Sequence, residues 1–108
     1  MLSGYRIMWL LVMFDLPVLS KVERKAANDF RHALQDIGFE MVQLSVYARF
    51  CASQKQMETL CGKIQSNLPP GGQVSILQFT DKQYERILCF QGGAAAPPQE
   101  APEQFALF

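Results

Sequence analysis

The longest apolar run of the chain covers residues 7–14 and ends at a carboxylate, Asp15. Its odd and even positions are equally apolar. Because successive side chains of a strand point to opposite faces, this pattern predicts a strand that is covered on both faces and lies centrally in a sheet. Pro17 cannot donate a ladder hydrogen bond, so the strand is expected to end beside Asp15.

An amphipathic helix is predicted between Ser20 and Gly38. Ser20 and Glu23 have the spacing of an N-terminal capping box, and Gly38 is a typical C-terminal stop. Apolar side chains fall on one side of this helix and polar ones on the other. The apolar side comprises Val22, Ala26, Phe30, Ala33, Leu34 and Ile37. The polar side comprises Lys21, Arg24, Lys25, Asn28, Arg31, His32 and Gln35.

Residues 39–51 are rich in β-branched and aromatic side chains and predict β-structure. The segment is long for a single strand. Two interpretations stay open: two short strands that meet around Leu44 and Ser45, or one long bent strand.

A second helix is expected from Ser53 to a turn at residues 67–72, with a narrower apolar stripe than the first. Residues 73–80 predict a further strand, residues 80–83 a single helical turn, and residues 86–90 a short strand. The stripe of the second helix comprises Met57, Leu60, Cys61, Ile64 and Leu68.

Composition divides the chain into three parts. Residues 1–90 hold the main predicted elements and form one domain. Residues 91–103 are rich in Gly, Ala and Pro, which is typical of a flexible linker. Residues 104–108 are apolar again and predict a C-terminal docking strand, an extra strand that pairs with a partner. Its contact residues are expected to be Phe105, Leu107 and Phe108.

The order of elements predicts an α+β fold, a ferredoxin-like βαββαβ plait with both helices on one face of the sheet. The first strand is apolar on both faces, so the other face would expose a large hydrophobic patch, which soluble monomers avoid. A second copy, packed face to face with two-fold symmetry, would cover that patch. We therefore predict a homodimer packed through its sheet faces.

Charge and cysteine content narrow the class of protein. Ten basic side chains balance ten acidic ones, which argues mildly against a nonspecific polyanion binder. The three cysteines have no CxxC spacing, so neither a zinc site nor a disulfide framework is indicated, and a cytoplasmic location is expected. No apolar run reaches the roughly 18 residues of a membrane span. The N-terminal run is not expected to be a signal peptide, because Arg6 is its only basic residue and no small-residue cleavage site follows.

Several motifs within these elements resemble one family. The most specific are the strand end Val12-Met-Phe-Asp15-Leu-Pro17 and the segment Gln43-x-Ser45-Val46-Tyr47. Over residues 5–90 the chain resembles the "Cas-two" family of small CRISPR-associated adaptation nucleases, in the form found beside a single large RNA-guided effector. The other matching positions are Glu23, Arg24, Lys25, Phe30, Arg31, Gly38, Phe39, Met41, Gly72, Val74, Ile76, Leu77 and the run from Thr80 to Arg86.

The resemblance implies both a fold and a function. Members of this family are ferredoxin-like homodimers that bridge two dimers of the CRISPR integrase and help to capture foreign double-stranded DNA for insertion into the CRISPR array. Many are also described as Mg²⁺-dependent endonucleases that cut single-stranded RNA or double-stranded DNA. The family's catalytic and metal-binding Asp, at the end of the first strand, maps onto Asp15.

Two roles for Asp15 follow from its position. A carboxylate just before Pro17 is an ordinary hydrogen-bond acceptor in a turn. Alternatively, two copies across a two-fold axis share one Mg²⁺, which one or two carboxylates hold well together with water and phosphate oxygens. The resemblance favours the metal role. No second acidic residue lies nearby in the sequence and no general base is visible, so a structural role of the protein is favoured over turnover.

The basic residues Lys21, Arg24, Lys25 and Arg31 form a stripe on the first helix. A solvated helix face explains such a stripe, and contacts with DNA phosphates are the alternative. The resemblance favours phosphate contacts, with Arg24 and Arg31 foremost.

The segment Gln43-x-Ser45-Val46-Tyr47 also has two interpretations. Its Ser45 and Tyr47 are expected to line the cleft around Asp15, with Ser45 donating a hydrogen bond and Tyr47 offering an aromatic face. The alternative is a sheet bend that packs against the dimer.

Three functions compete. The first is a structural, DNA-binding subunit of the spacer-acquisition complex that works with the integrase. The second is a free-standing Mg²⁺-dependent endoribonuclease that acts at Asp15. The third is an RNA-recognition module that uses its sheet face, although no RNP-like aromatic-basic pattern is present in the sequence.

Overall fold

The computed structural model describes residues 7–92 and the backbone of residues 94–95. The predicted docking strand at 104–108 lies outside the described residues. The described elements are β1 (Ile7–Asp15), α1 (Lys21–Asp36), β2 (Glu40–Gln43), β3 (Val46–Phe50), α2 (Gln54–Ser66), β4 (Gln73–Thr80), α3 (Asp81–Glu85), β5 (Phe90–Gln91) and β6 (Ala94–Ala95).

β1 is a central strand, as its two apolar faces predict. It pairs with β3 on one side and with β4 on the other, in an antiparallel sheet of order β2-β3-β1-β4. Residues 40–50 form two short strands joined at Leu44 and Ser45, which confirms the two-strand interpretation. The mixed α+β class, with a four-stranded antiparallel sheet, is therefore the class that the sequence predicts.

The ends of α1 are set by the residues that the sequence singles out. Ser20 Oγ accepts the backbone N–H of Glu23 at 3.0 Å, and Glu23 Oε1 accepts the N–H of Ser20 at 2.9 Å. This capping box satisfies two backbone donors that have no partner within the helix. Beyond the other end, Gly38 adopts a φ of 91°, which a residue without a side chain reaches easily.

Both long helices cover the same face of the sheet. Leu10, Val12 and Phe14 of β1 are buried beneath them. The Phe14 ring meets the Phe30 ring edge-on, with 5.2 Å between the ring centroids. The helical side chains of this core are Phe30 and Leu34 from α1 and Met57, Leu60 and Ile64 from α2.

Two apolar side chains that were expected in the helix stripes lie outside this core. Val22 is 77% exposed and lines an outer groove together with Pro69 and Pro70. Leu68 is 48% exposed, because α2 ends at Ser66.

The sheet face opposite the two long helices is called the second sheet face. One end of it is covered by α3. A register shift between Ile7 and Trp9 inserts Met8 as an extra residue in β1, and both Met8 and Trp9 pack on this face. The Trp9 ring stacks on Tyr84 with 3.8 Å between centroids. The Trp9 Nε1 donates to Asp81 Oδ1 at 3.0 Å, which fixes the short helix α3 against the sheet.

The predicted strand at residues 86–90 is largely wrong. The N–H groups of Arg86 and Ile87 donate to carbonyls of α3, so the chain turns here, and Ile87 packs beside Trp9. Strand structure resumes only at Phe90, in the short β5–β6 pair. The turn after α3 therefore packs onto the second sheet face, and the strand predicted at residues 86–90 is not formed there.

The other end of the second sheet face is open in the part of the chain that the structure describes. Met13 is 43% exposed there, and the cross-strand partners Leu11 and Leu77 are partly buried. We call this surface, formed by Leu11, Met13, Val46 and Leu77, the open face.

Among the described residues, no helix combines the length and the apolar composition that a membrane crossing requires.

Candidate functional site

Asp15 is the last residue of β1 and is exposed to solvent. It pairs in register with Gln73, the first residue of β4. Asp15 and Met13 are two residues apart on the same strand, so their side chains leave the same face of the sheet. The candidate carboxylate therefore lies at the end of the open face and not on the face that the long helices cover.

A shallow groove of about 260 Å³ surrounds this strand end. Its walls come from the end of β1, the turn between β2 and β3, and the start of β4. The lining residues are Met13, Phe14, Asp15, Leu44, Ser45, Val46, Gln73 and Ser75. The sequence singles out Asp15 and Ser45 but not Gln73 or Ser75, because their proximity depends on the β1–β4 register.

Ser45 lies in this groove in an unusual backbone conformation. Its φ is 62°, and among the described residues it is the non-glycine residue with positive φ. The Ser45 carbonyl accepts the N–H of Phe14 at 3.1 Å, which ties the β2–β3 turn to the residue before Asp15. Left-handed backbone in a residue with a side chain costs about 1–3 kcal/mol, and such strain is concentrated at functional sites.

Tyr47 lies elsewhere. It is buried on the face that the long helices cover, where its ring stacks on Phe14 with 5.7 Å between centroids. Its ring supports the core beneath the strand end and does not line the groove.

One chain supplies one carboxylate to this site. Within residues 7–92, no group of three or more His, Cys, Asp or Glu side chains could hold a metal ion. The groove adds hydroxyl and amide oxygens from Ser45, Ser75 and Gln73. Mg²⁺ binds through one or two carboxylates and otherwise through water and phosphate oxygens. The residues of one chain therefore supply one of the one or two carboxylates that a magnesium site uses.

The basic residues of α1 have local partners. Arg24 Nη1 donates to the carbonyls of Val18 and Leu19, at 3.2 Å each, and so braces the loop before the helix. Lys25 Nζ forms an exposed ion pair with Asp29 at 2.9 Å. Such an exposed pair contributes little to stability.

Arg31 lies over an aromatic ring of the strand that carries Asp15. Its guanidinium carbon is 5.8 Å from the centroid of the Phe14 ring, and its Nη1 donates to Asn28 Oδ1 at 3.0 Å. Lys21, at the start of the helix, is exposed. The predicted docking residues Phe105, Leu107 and Phe108 lie outside the described residues.

Comparisons with known proteins agree with this architecture. The sequence model of the family "CRISPR associated protein Cas2" matches residues 8–87. The protein named CRISPR-associated endoribonuclease Cas2 from Paracidovorax avenae is 61% identical over 108 residues, covering 100% of both chains. The protein of the same name from Flavobacterium psychrophilum is 41% identical over 107 residues, covering 99% of this chain and 93% of the relative.

A solved structure described as "Crystal structure of cas2" is similar in fold. It aligns with a TM-score of 0.58 at 20% sequence identity, covering 89% of this chain and 98% of that chain. The family match spans most of the domain, from the start of β1 to the turn after α3. The chain therefore belongs to the Cas2 family of CRISPR-associated proteins.

Proposed function

We propose that this protein is a homodimeric subunit of the CRISPR adaptation machinery, which binds foreign double-stranded DNA and bridges the CRISPR integrase during spacer acquisition. The observation that carries this proposal is the position of Asp15, a single exposed carboxylate at the end of an open apolar sheet face. A site with one carboxylate per chain is poorly equipped for independent turnover, whereas a paired site suits a symmetric assembly.

The open face supports the homodimer. Removing the exposed Met13 and the partly buried Leu11 and Leu77 of this face from water would stabilise a dimer. The strand order, with β1 between β3 and β4, is compatible with the ferredoxin-like plait in which such faces pair. Because Asp15 shares this face with Met13, face-to-face pairing would place both Asp15 carboxylates in the interface region.

The basic residues of α1 are the proposed DNA contacts. Phosphates of the DNA would be contacted by Arg24, Arg31, Lys21 and Lys25, and the affinity for DNA would fall as the salt concentration rises.

The C-terminal tail is proposed to dock onto the integrase or onto the partner copy through Phe105, Leu107 and Phe108. The assembly would act in the cytoplasm.

A Mg²⁺-dependent endoribonuclease activity is the second candidate. It is favoured by the names of the relatives and by the exposed Asp15 carboxylate in the groove, which could supply half of the ligands of a magnesium site shared by two copies. Bound Mg²⁺ would neutralise charge on a phosphodiester. The Asp15 carboxylates of two copies would hold the ion, and Ser45 and Gln73 would orient substrate groups in the groove.

An Asp15→Asn variant separates the two candidates, with Asp36→Asn, an exposed acid at the end of α1, as the matched control. If the structural proposal holds, Asp15→Asn leaves spacer acquisition in cells intact; if the endoribonuclease candidate holds, it abolishes Mg²⁺-dependent cleavage of single-stranded RNA. Loss of acquisition in a variant that still dimerises and binds both DNA and the integrase would reject the structural proposal.

A further inference from the structure

Gly72, the residue before β4, lies directly against the backbone that carries Asp15. Its φ is 85°, a region that residues with a side chain rarely occupy. A Cβ atom at this position would lie 2.5 Å from the carbonyl oxygen of Asp15 and 2.9 Å from Leu16 Cδ2. Because the nearest atom belongs to the backbone, it cannot swing aside as the end of a flexible side chain can. Either the end of β1 or the turn into β4 would have to move.

The same strand end is held on its other side. The Ser45 carbonyl accepts the N–H of Phe14 at 3.1 Å, immediately before Asp15. Gln73, immediately after Gly72, is the register partner of Asp15. The backbone on both sides of Asp15 is therefore in contact with neighbouring segments, whereas the carboxylate itself is exposed.

We propose that Gly72 is a positioning residue for Asp15. Its lack of a side chain lets the turn before β4 approach the Asp15 carbonyl, and this contact sets where the carboxylate lies in the groove. The inference rests on the metal-binding role proposed for Asp15. Placement matters at such a site, because a displacement of about 1 Å can lower a rate by roughly 100-fold.

Two other glycines lack such a close backbone contact and serve as comparisons for Gly72. Gly71, in the same turn, would place a Cβ 3.5 Å from Pro17 Cγ, an ordinary contact distance. Gly62, in α2, would place a Cβ with no atom within 4 Å. Gly62→Ala is expected to stabilise the helix, because alanine has the higher helix propensity. It therefore provides a background in which a destabilising change at Gly72 can still be studied in the folded state.

The test compares Gly72→Ala with Gly71→Ala, both in the Gly62→Ala background and both checked for melting above the assay temperature. The first measurement is the NMR chemical shift of the Asp15 amide and side-chain carboxyl carbon. The second is the Mg²⁺ concentration that gives half-maximal cleavage of a fluorescent single-stranded RNA. We expect Gly72→Ala to shift the Asp15 signals, to raise that Mg²⁺ concentration and to lower cleavage by roughly 100-fold. Gly71→Ala should match the background in every measurement.

The two measurements separate this inference from the proposed function. Asp15 signals that stay at their background positions in Gly72→Ala would overturn the inference, whether or not the protein cleaves RNA. If Gly71→Ala shifted the Asp15 signals as much as Gly72→Ala does, the inference would also be overturned, because the effect would then not be specific to the Gly72 contact. If Gly72→Ala displaces the Asp15 signals while the Gly62→Ala background shows neither cleavage nor a response to Mg²⁺, the positioning contact stands and the metal-binding role fails.

Discussion

At the end of β1, the backbone conformation of single residues shapes the groove around Asp15. Ser45 and Gly72 both have positive φ and approach the strand end from opposite sides. The sequence predicts Asp15 as the candidate carboxylate, because an acidic residue follows a long apolar run. It does not predict the left-handed conformation of Ser45, because serine lacks the strong preference for positive φ that marks glycine. That conformation follows from the tight turn between β2 and β3 and from the bond to Phe14.

Replacing Ser45 with glycine should stabilise the protein. Glycine accepts a φ of 62° without strain, so Ser45→Gly is expected to raise the free energy of unfolding by about 1 kcal/mol. Ser75→Gly, in the neighbouring strand β4, is the matched control and should lower it by roughly 0.5–1 kcal/mol. Urea denaturation measures both. Destabilisation by Ser45→Gly comparable to that by Ser75→Gly would show that the Ser45 backbone is not strained.

The buried tyrosine under Trp9 predicts a loss of stability at alkaline pH. Burial, with a smaller contribution from Cys89, raises the pKa of Tyr84 to about 12. In the unfolded chain a tyrosine titrates near pH 10. Below pH 10 Tyr84 is protonated in both states, so its contribution to stability is complete there and is lost as the pH rises from about 10 to about 12. Tyr84→Phe keeps the ring and should remove this part of the pH dependence. An unchanged alkaline profile in Tyr84→Phe would contradict the assignment.

At the scale of elements, local signals predict most of the fold. The double apolar pattern of β1 predicts its central position, and the Ser20–Glu23 spacing predicts the start of α1. The strand expected at 86–90 fails because Tyr84 and Ile87 pack onto Trp9, which is far away in the sequence. The periodicity of apolar residues predicts local secondary structure, but it does not identify the distant side chains against which those residues pack. The same limit applies to Val22, which is on the apolar side of α1 but is 77% exposed.

The bond between Trp9 and Asp81 should hold α3 on the sheet. Asp81→Ala removes the acceptor of the indole N–H, and we expect it to lower the free energy of unfolding by about 1–2 kcal/mol. Asp81→Asn keeps a side-chain carbonyl oxygen and should lose less. Trp9 fluorescence during urea denaturation provides the measurement. Equal losses from the two variants would show that the negative charge, not the hydrogen bond, is the important feature.

At the scale of the whole molecule, the proposed homodimer has the open face as its interface. Met13→Glu introduces a charge on that face and should convert a dimer into a folded monomer, because a carboxylate without a partner is costly to bury. Leu19→Glu, at a side chain that is 91% exposed in the loop before α1, is the control and should leave the dimer intact. Light scattering at micromolar concentration distinguishes the two masses. Dimers that survive Met13→Glu but not Leu19→Glu would move the interface from the open face to the loop before α1.

The central claim is that two copies pair through their open faces and bring their Asp15 residues together. Cross-linking tests it most directly, with Asp15→Cys and a short bismaleimide, in a background where Cys61 and Cys89 are replaced by alanine. Cys51 can remain, because burial raises the pKa of its thiol to about 11 and keeps it unreactive near neutral pH. The account predicts a covalent dimer for Asp15→Cys and none for Lys55→Cys, on the exposed side of α2. Efficient cross-linking of Lys55→Cys, with Asp15→Cys remaining a single chain on a denaturing gel, would contradict it.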